Sequence, residues 1–257
     1  MARTDDDKMP SQIPFIIGNE ACERFSFYGM KNILTAFLIE HLLLTASPDL
    51  EVRKALATER YHLFIAGVYF FPLLGGYLAD RWFGKYRTIF WLSLLYCAGH
   101  ACLAIFEKNP NGFYLGLGLI ALGSGGIKPC VSAMVGDQFT ARNKHLLKVV
   151  FSYFYFSINF GSFFATLLIP KTLKYLGAGW AFGIPGVLMF VATVLLWVGR
   201  DRYIHVPPSG PNPHSFFRVI WSAIVHGGAN KGGAFLGGAE KDHPAIAVEG
   251  ARAVLRI

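Results

Sequence analysis

The sequence predicts an all-α integral membrane protein. Three observations carry that reading. Six apolar runs of membrane-spanning length fill the first two hundred residues, charged residues are scarce, and the basic ones fall between the runs. The chain is 53% hydrophobic with 23 phenylalanines and a mean hydropathy of +0.41. Only 16% of its residues are charged, against about a quarter in soluble proteins. A single soluble core stops growing near this length and has no use for so much apolar surface, whereas lipid does.

A spanning helix needs about 20 mostly apolar residues. The runs lie at roughly 13–44, 61–79, 88–106, 113–136, 147–170 and 179–199. Strands of a membrane barrel would alternate apolar and polar residues, and these do not. Turn-forming stretches such as Ser47-Pro48-Asp49 and Lys108-Asn109-Pro110-Asn111-Gly112 separate the runs. Residues 1–12 read as a polar tail and 13–200 as the bundle. Residues 201–257 read as a linker, with a break at Pro207-Pro208-Ser209-Gly210-Pro211, a short amphipathic helix over Ser215–Val225 and a mobile Gly-rich stretch from Gly227 to Gly238. A helical pattern starts near 244 and stops at Ile257 without a polar tail, which reads as a cut.

Orientation follows lysine and arginine. With the N-terminus cytoplasmic, the inside segments hold ten (Arg3, Lys8, Arg81, Lys85, Arg87, Arg142, Lys144, Lys148, Arg200, Arg202) and the outside loops five or six. The net charge of +8 is therefore the mark of loops facing an anionic leaflet rather than of nucleic-acid binding. Cys22, Cys97, Cys102 and Cys130 lie in apolar runs without metal-site spacing and read as small buried residues. Neither a nucleophile–base set nor a metal or nucleotide motif is present, so an enzyme is not expected.

The first run carries Glu20, Glu23, Arg24 and Lys31, at offsets 0, 3, 4 and 11, on one helical face with Phe27 and Tyr28. A charge at mid-bilayer costs about 2.5–3.5 kcal/mol, and an apolar residue returns only about 0.3–0.6. The face must therefore look into protein or a water-filled cavity. Glu20 and Arg24 can pair at i,i+4, and Glu23 then needs another cation. Lys128, in the fourth run within Gly123-Ser124-Gly125-Gly126-Ile127-Lys128-Pro129, is the expected partner. Its glycines permit close helix packing. His62 and Tyr69 in the second run and Asn159 in the fifth are further polar groups. In the turn Gly76 to Arg87, Asp80 is placed to cap the next helix and Gly84 to allow a tight turn.

These residues resemble a known family. The turn over 76–87, with Asp80, Arg81 and Gly84, is similar to the loop signature of the major facilitator superfamily. Glu20-x-x-Glu23-Arg24-Phe25-Ser26-Phe27-Tyr28-Gly29 resembles the ExxER signature of its proton-coupled oligopeptide transporter (POT/PTR) family. Phe154 to Gly161 resembles that family's fifth-helix motif.

The resemblance implies the N-terminal six-helix bundle of a two-bundle fold, cut before the seventh helix. It implies symport of di- and tripeptides by alternating access in the plasma (inner) membrane, driven by the proton gradient with no other cofactor or metal. Glu20, Glu23, Arg24, His62 and Lys128 would couple protons. Tyr28, Lys31, Tyr69, Lys128 and Asn159 would hold peptide, and Asp80, Arg81 and Gly84 would form the gating loop. The partners implied are peptides, protons, lipid and the second bundle. Two departures stand out: Phe27 replaces a tyrosine, and Lys31 replaces an arginine, losing its planar fork. Another solute (nitrate, an amino acid or a drug) on the same scaffold, or a non-transporting fragment, are the alternatives.

Overall fold

The computed structural model describes residues 8–210, 213–226 and 235–255. Two compact units divide at Pro208 and Ser209. The first holds six long helices: α1 (Ile13–Phe37), α2 (Leu50–Leu78), α3 (Lys85–Ile105), α4 (Pro110–Asp137), α5 (Leu147–Leu176) and α6 (Ala178–Val198). No strand occurs among the described residues. Five of the six, α2 to α6, are long and apolar enough to cross a membrane by themselves. The first is too polar for that because of the charges read above. It is accommodated by enclosure, packed against α5 and α6 and touching α2 and α4.

Local signals fix the ends. Asn109 caps α4 by accepting from the backbone N–H groups of Asn111 and Gly112, with Pro110 at the first helical position. Asp49 caps α2 by accepting from Glu51 N–H at 2.9 Å, so α2 begins eleven residues before the apolar run starts. The polar turns from Leu50 to Arg60 are therefore part of the helix. Likewise α5 continues to Leu176, because Pro170 inside it does not break the helix. Gly84 (φ +75°) and Gly177 (φ +88°) sit where the chain turns into α3 and α6, a conformation L side chains rarely adopt. Asp80 does not cap α3. It lies exposed in a π turn over Ala79–Phe83, and Gly84 occupies the N-cap with no side-chain cap bond. The extra π residues push Asp80 a turn too early to reach the α3 amides.

Helix approach depends on small residues, as lipid supplies no hydrophobic drive between spans. α4 lies between α2 and α3, and α3 packs on α6. A Cβ at Gly75 would land on the backbone of Gly126, and one at Gly123 would come within 2.8 Å of the Leu92 carbonyl. Phe37, Phe113 and Phe182 knit α1, α4 and α6 with ring centroids 5.0–5.3 Å apart, in the edge-on or offset geometry aromatic pairs favour.

The second unit comprises α7 (Phe216–His226), a 3₁₀ segment Phe235–Lys241 and α8 (Ala245–Val254), around Val219, Ala223, Leu236, Ala239, Val248 and Ala251. The first of these helices overlaps the stretch Ser215–Val225, and the second lies within residues 244–257. The expected mobile stretch differs at 235–238, which is 3₁₀ helix; 227–234 lie outside the described residues, as do 1–7 of the polar tail and Pro211.

Candidate functional site

The charged stripe of α1 splits into a buried part and an open part. Arg24 Nε lies 3.1 Å from Glu20 Oε1, and Arg24 also pairs with Glu23. The three side chains are at most 8% exposed. One guanidinium fork thus serves two carboxylates, the use for which its rigid planar donors suit arginine.

Lys128 is not Glu23's partner. Among the described residues it makes no ion pair; its amine lies 4.4 Å from the centre of the Phe27 ring. Arg24, one residue along the same helix, reaches Glu23 first. Phe27, where the family resemblance expects a tyrosine, offers its π face as a cation platform. Phe27 in turn stacks on Phe64 of α2 at 6.3 Å.

Tyr28, Lys31 and Lys128 are half-buried, and the Lys31 amine lies 5.9 Å from the Tyr28 ring centre. Tyr69 is exposed, as are His62 and Asn159. Asn159 donates to the Tyr155 carbonyl of its own helix at 2.8 Å rather than across to a neighbour. The helix–helix role that a lone intramembrane Asn suggests is absent here. Ionised, Glu20 and Glu23 against Arg24, Lys31 and Lys128 leave one surplus positive charge, carried on the half-buried side. That arrangement suits a carboxylate-bearing solute approaching from the open side.

Near Arg24 lies a polar group that the sequence reading passed over. His100, in the middle of α3 and fully buried, has Nε2 2.8 Å from Ser26 Oγ. Its ring stacks on the fully buried Tyr96 at 5.2 Å. An ionisable residue in the middle of an apolar run was itself the signal. Asn19 donates to the Ala192 carbonyl at 2.8 Å, fastening α1 to α6.

At one end of the bundle the α2–α3 turn joins α4. Lys85 and Asp137 pair at 2.6 Å, and Arg81 lies beside Tyr77 and Trp82. Gln138, almost fully buried, accepts from Gln12 and from Ile204 N–H and so ties the chain's start, α4 and the stretch after α6 together. The Tyr203 phenol beside it is raised above its usual pKa by burial.

A bundle of long apolar helices around a buried carboxylate–guanidinium cluster defines a multi-pass membrane protein of transporter type. The sequence profile of the POT family (PTR2) matches residues 86–243, more than half the chain, and the chain belongs to that family. Its members are transporters rather than enzymes.

Human solute carrier family 15 member 2 is 39% identical over 238 residues, covering 87% of this chain and 32% of the relative. Peptide transporter family 2 of Caenorhabditis elegans is 42% identical over 226 residues, covering 83% and 27%. Among solved structures, the POT family transporter PepTSo superposes with a TM-score of 0.88 at 52% identity, over 97% of this chain and 58% of that one. An auto-inhibited POT family peptide transporter gives 0.85 at 50%, over 96% and 57%. The chain therefore spans about a third of these curated relatives and a little over half of these solved chains. The all-α bundle of a major facilitator superfamily fold is the architecture they share with it.

Proposed function

We propose that this chain is the N-terminal bundle of a proton-coupled di- and tripeptide symporter, working with a second six-helix bundle by alternating access. The observation that carries the proposal is the buried Glu20–Arg24–Glu23 cluster beside Lys128, which makes no ion pair among the described residues. A proton reaching Glu23 or Glu20 cancels one of the two anions that hold the guanidinium and frees that arm of Arg24. His62 is the exposed group on α2 through which the proton enters. Lys128, resting on the Phe27 ring, receives the peptide carboxylate. Tyr28, Lys31, Tyr69 and Asn159 supply further contacts from the open side. The turn at Asp80, Arg81 and Gly84 gates the end where Lys85 meets Asp137.

No cofactor beyond the proton gradient enters this cycle, and one charge moved through 100 mV is worth about 2.3 kcal/mol. The N-terminus is cytoplasmic and the membrane is the plasma (inner) membrane, on the lysine and arginine count. The peptide-transporter names of the relatives favour peptide over nitrate, an amino acid or a drug.

The test joins this chain to the second half of the 52%-identical relative and measures uptake of a labelled dipeptide in proteoliposomes. Glu23→Gln is expected to abolish gradient-driven uptake while leaving counterflow exchange measurable. Unlabelled dipeptides should compete, and nitrate and single amino acids should not. Unchanged driven uptake in Glu23→Gln rules out the coupling role, and competition by nitrate alone rules out peptide.

A further inference from the structure

Outside the charged site, α2 and α4 enclose an apolar groove of about 600 Å³. Leu63, Gly67, Phe70, Leu117 and Gly118 line it, and Arg60 and Tyr114 stand at one end. Nothing in the bundle fills it beside Gly118, where a Cβ would meet no atom within 4 Å. The Arg60 guanidinium lies 5.5 Å from the Tyr114 ring centre. Its only carboxylate among the described residues is the neighbouring Glu59 at 3.5 Å, and both side chains are more than a third exposed. Arg60 is thus held by a ring face and a weak pair, with donors to spare.

Depth and direction say what could lie there. Twenty-one residues separate Arg60 from Arg81 in the α2–α3 turn. At 1.5 Å per residue that is about 30 Å, the thickness of the hydrocarbon layer. With Arg81 at one headgroup level, Arg60 stands at the other, and Leu63 to Phe70 descend about 10 Å from it into one leaflet. Successive residues turn by about 100°, so Leu63 and Phe70 face a direction about 100° from His62 and Tyr69, away from the proposed peptide site. A cation at headgroup height above an apolar channel within a single leaflet has the shape and charge of an anionic lipid's binding site.

We propose that the α2–α4 groove binds an anionic phospholipid, with the phosphate on Arg60 and one acyl chain along Leu63, Gly67 and Phe70 against Leu117 and Gly118. Arginine grips phosphate through two parallel N–H bonds. A basic residue near a membrane surface contributes about 1 kcal/mol toward an anionic lipid, which is about a fivefold preference.

The test uses the 257-residue chain in detergent with equimolar phosphatidylglycerol and phosphatidylcholine of identical acyl chains, counting retained lipid by native mass spectrometry. Phosphatidylglycerol is expected to exceed phosphatidylcholine about fivefold. Arg60→Gln should bring the ratio to about one. Gly118→Leu, which fills the groove without touching Arg60, should remove most of both lipids. Helical content and a monodisperse elution peak confirm that each variant is folded. An unchanged ratio in Arg60→Gln, or unchanged retention in Gly118→Leu, overturns the site. In the chimera with the second half, a cysteine introduced by Leu63→Cys should stay free of that half. If it cross-links there and the lipid preference vanishes, the groove is a protein seam and the proposal is wrong.

Discussion

Replacing Arg24 by glutamine removes the one cation that two buried carboxylates share. At an effective dielectric of about 20, a pair 3.1 Å apart attracts by about 5 kcal/mol. Two such pairs give on the order of 10 kcal/mol gross, most of which offsets the cost of taking three charges out of water. What a measurement sees is the penalty for leaving buried charge without a partner, about 3–5 kcal/mol. Arg24→Gln should destabilise the chain by that amount in reversible unfolding from detergent micelles. The triple variant with Glu20→Gln and Glu23→Gln, isosteric and neutral, should recover to within about 2 kcal/mol of the wild type, because no unpaired charge remains. Equal losses in the single and triple variants would show that the side chains act by shape. No loss in the single variant would show that Arg24 is not the cluster's counter-ion. Either result refutes the electrostatic account.

Three further outcomes follow from particular contacts. Gly75→Ala should cost about 1–3 kcal/mol in the same unfolding assay, since its Cβ meets the Gly126 backbone, whereas Gly76→Ala, with open space around it, should be neutral or slightly stabilising. His100→Ala removes the 2.8 Å partner of the buried Ser26 hydroxyl and should cost about 1–3 kcal/mol beyond a His100→Gln control that keeps a hydrogen-bonding group there. In the second unit, the Ser222 hydroxyl donating to Asp242 at 2.6 Å holds that carboxyl below its ordinary 3.8, helped by the His226 and His243 rings. A depressed carboxyl contributes stability above its unfolded pKa and loses it as pH falls through the lowered value. Ser222→Ala should therefore move the Asp242 titration, followed by carboxyl NMR, up toward 3.8; an unmoved titration would remove Ser222 as the cause.

The bundle was legible because lipid imposes length and apolarity on each span, and both are written locally. What the sequence left open is non-local. The α2 start was missed because the turns from Leu50 to Arg60, capped by Asp49, are polar and carry no hydropathy signal. Glu20–Arg24 was readable from i,i+4 spacing alone. The partner of Glu23 was not, because adjacent residues on a helix do not face one another by default, and only the rotamers show Arg24 reaching both carboxylates. Lys128 reads from the sequence as an intramembrane cation, but its rest position on Phe27 depends on how α1 and α4 lie against one another, which no residue pattern states. Asp80 failed as a cap because a π turn shifts register by an amount no residue pattern announces. His100 and Ser26 sit seventy-four residues apart, and neither predicts the other without the fold.

The most direct test of the central claim measures proton movement rather than peptide. In proteoliposomes of the chimera at clamped membrane potential, adding dipeptide outside should acidify the lumen, and Glu23→Gln should abolish that acidification while labelled dipeptide still exchanges. Acidification of equal size in Glu23→Gln would contradict the assignment of coupling to the buried cluster on α1.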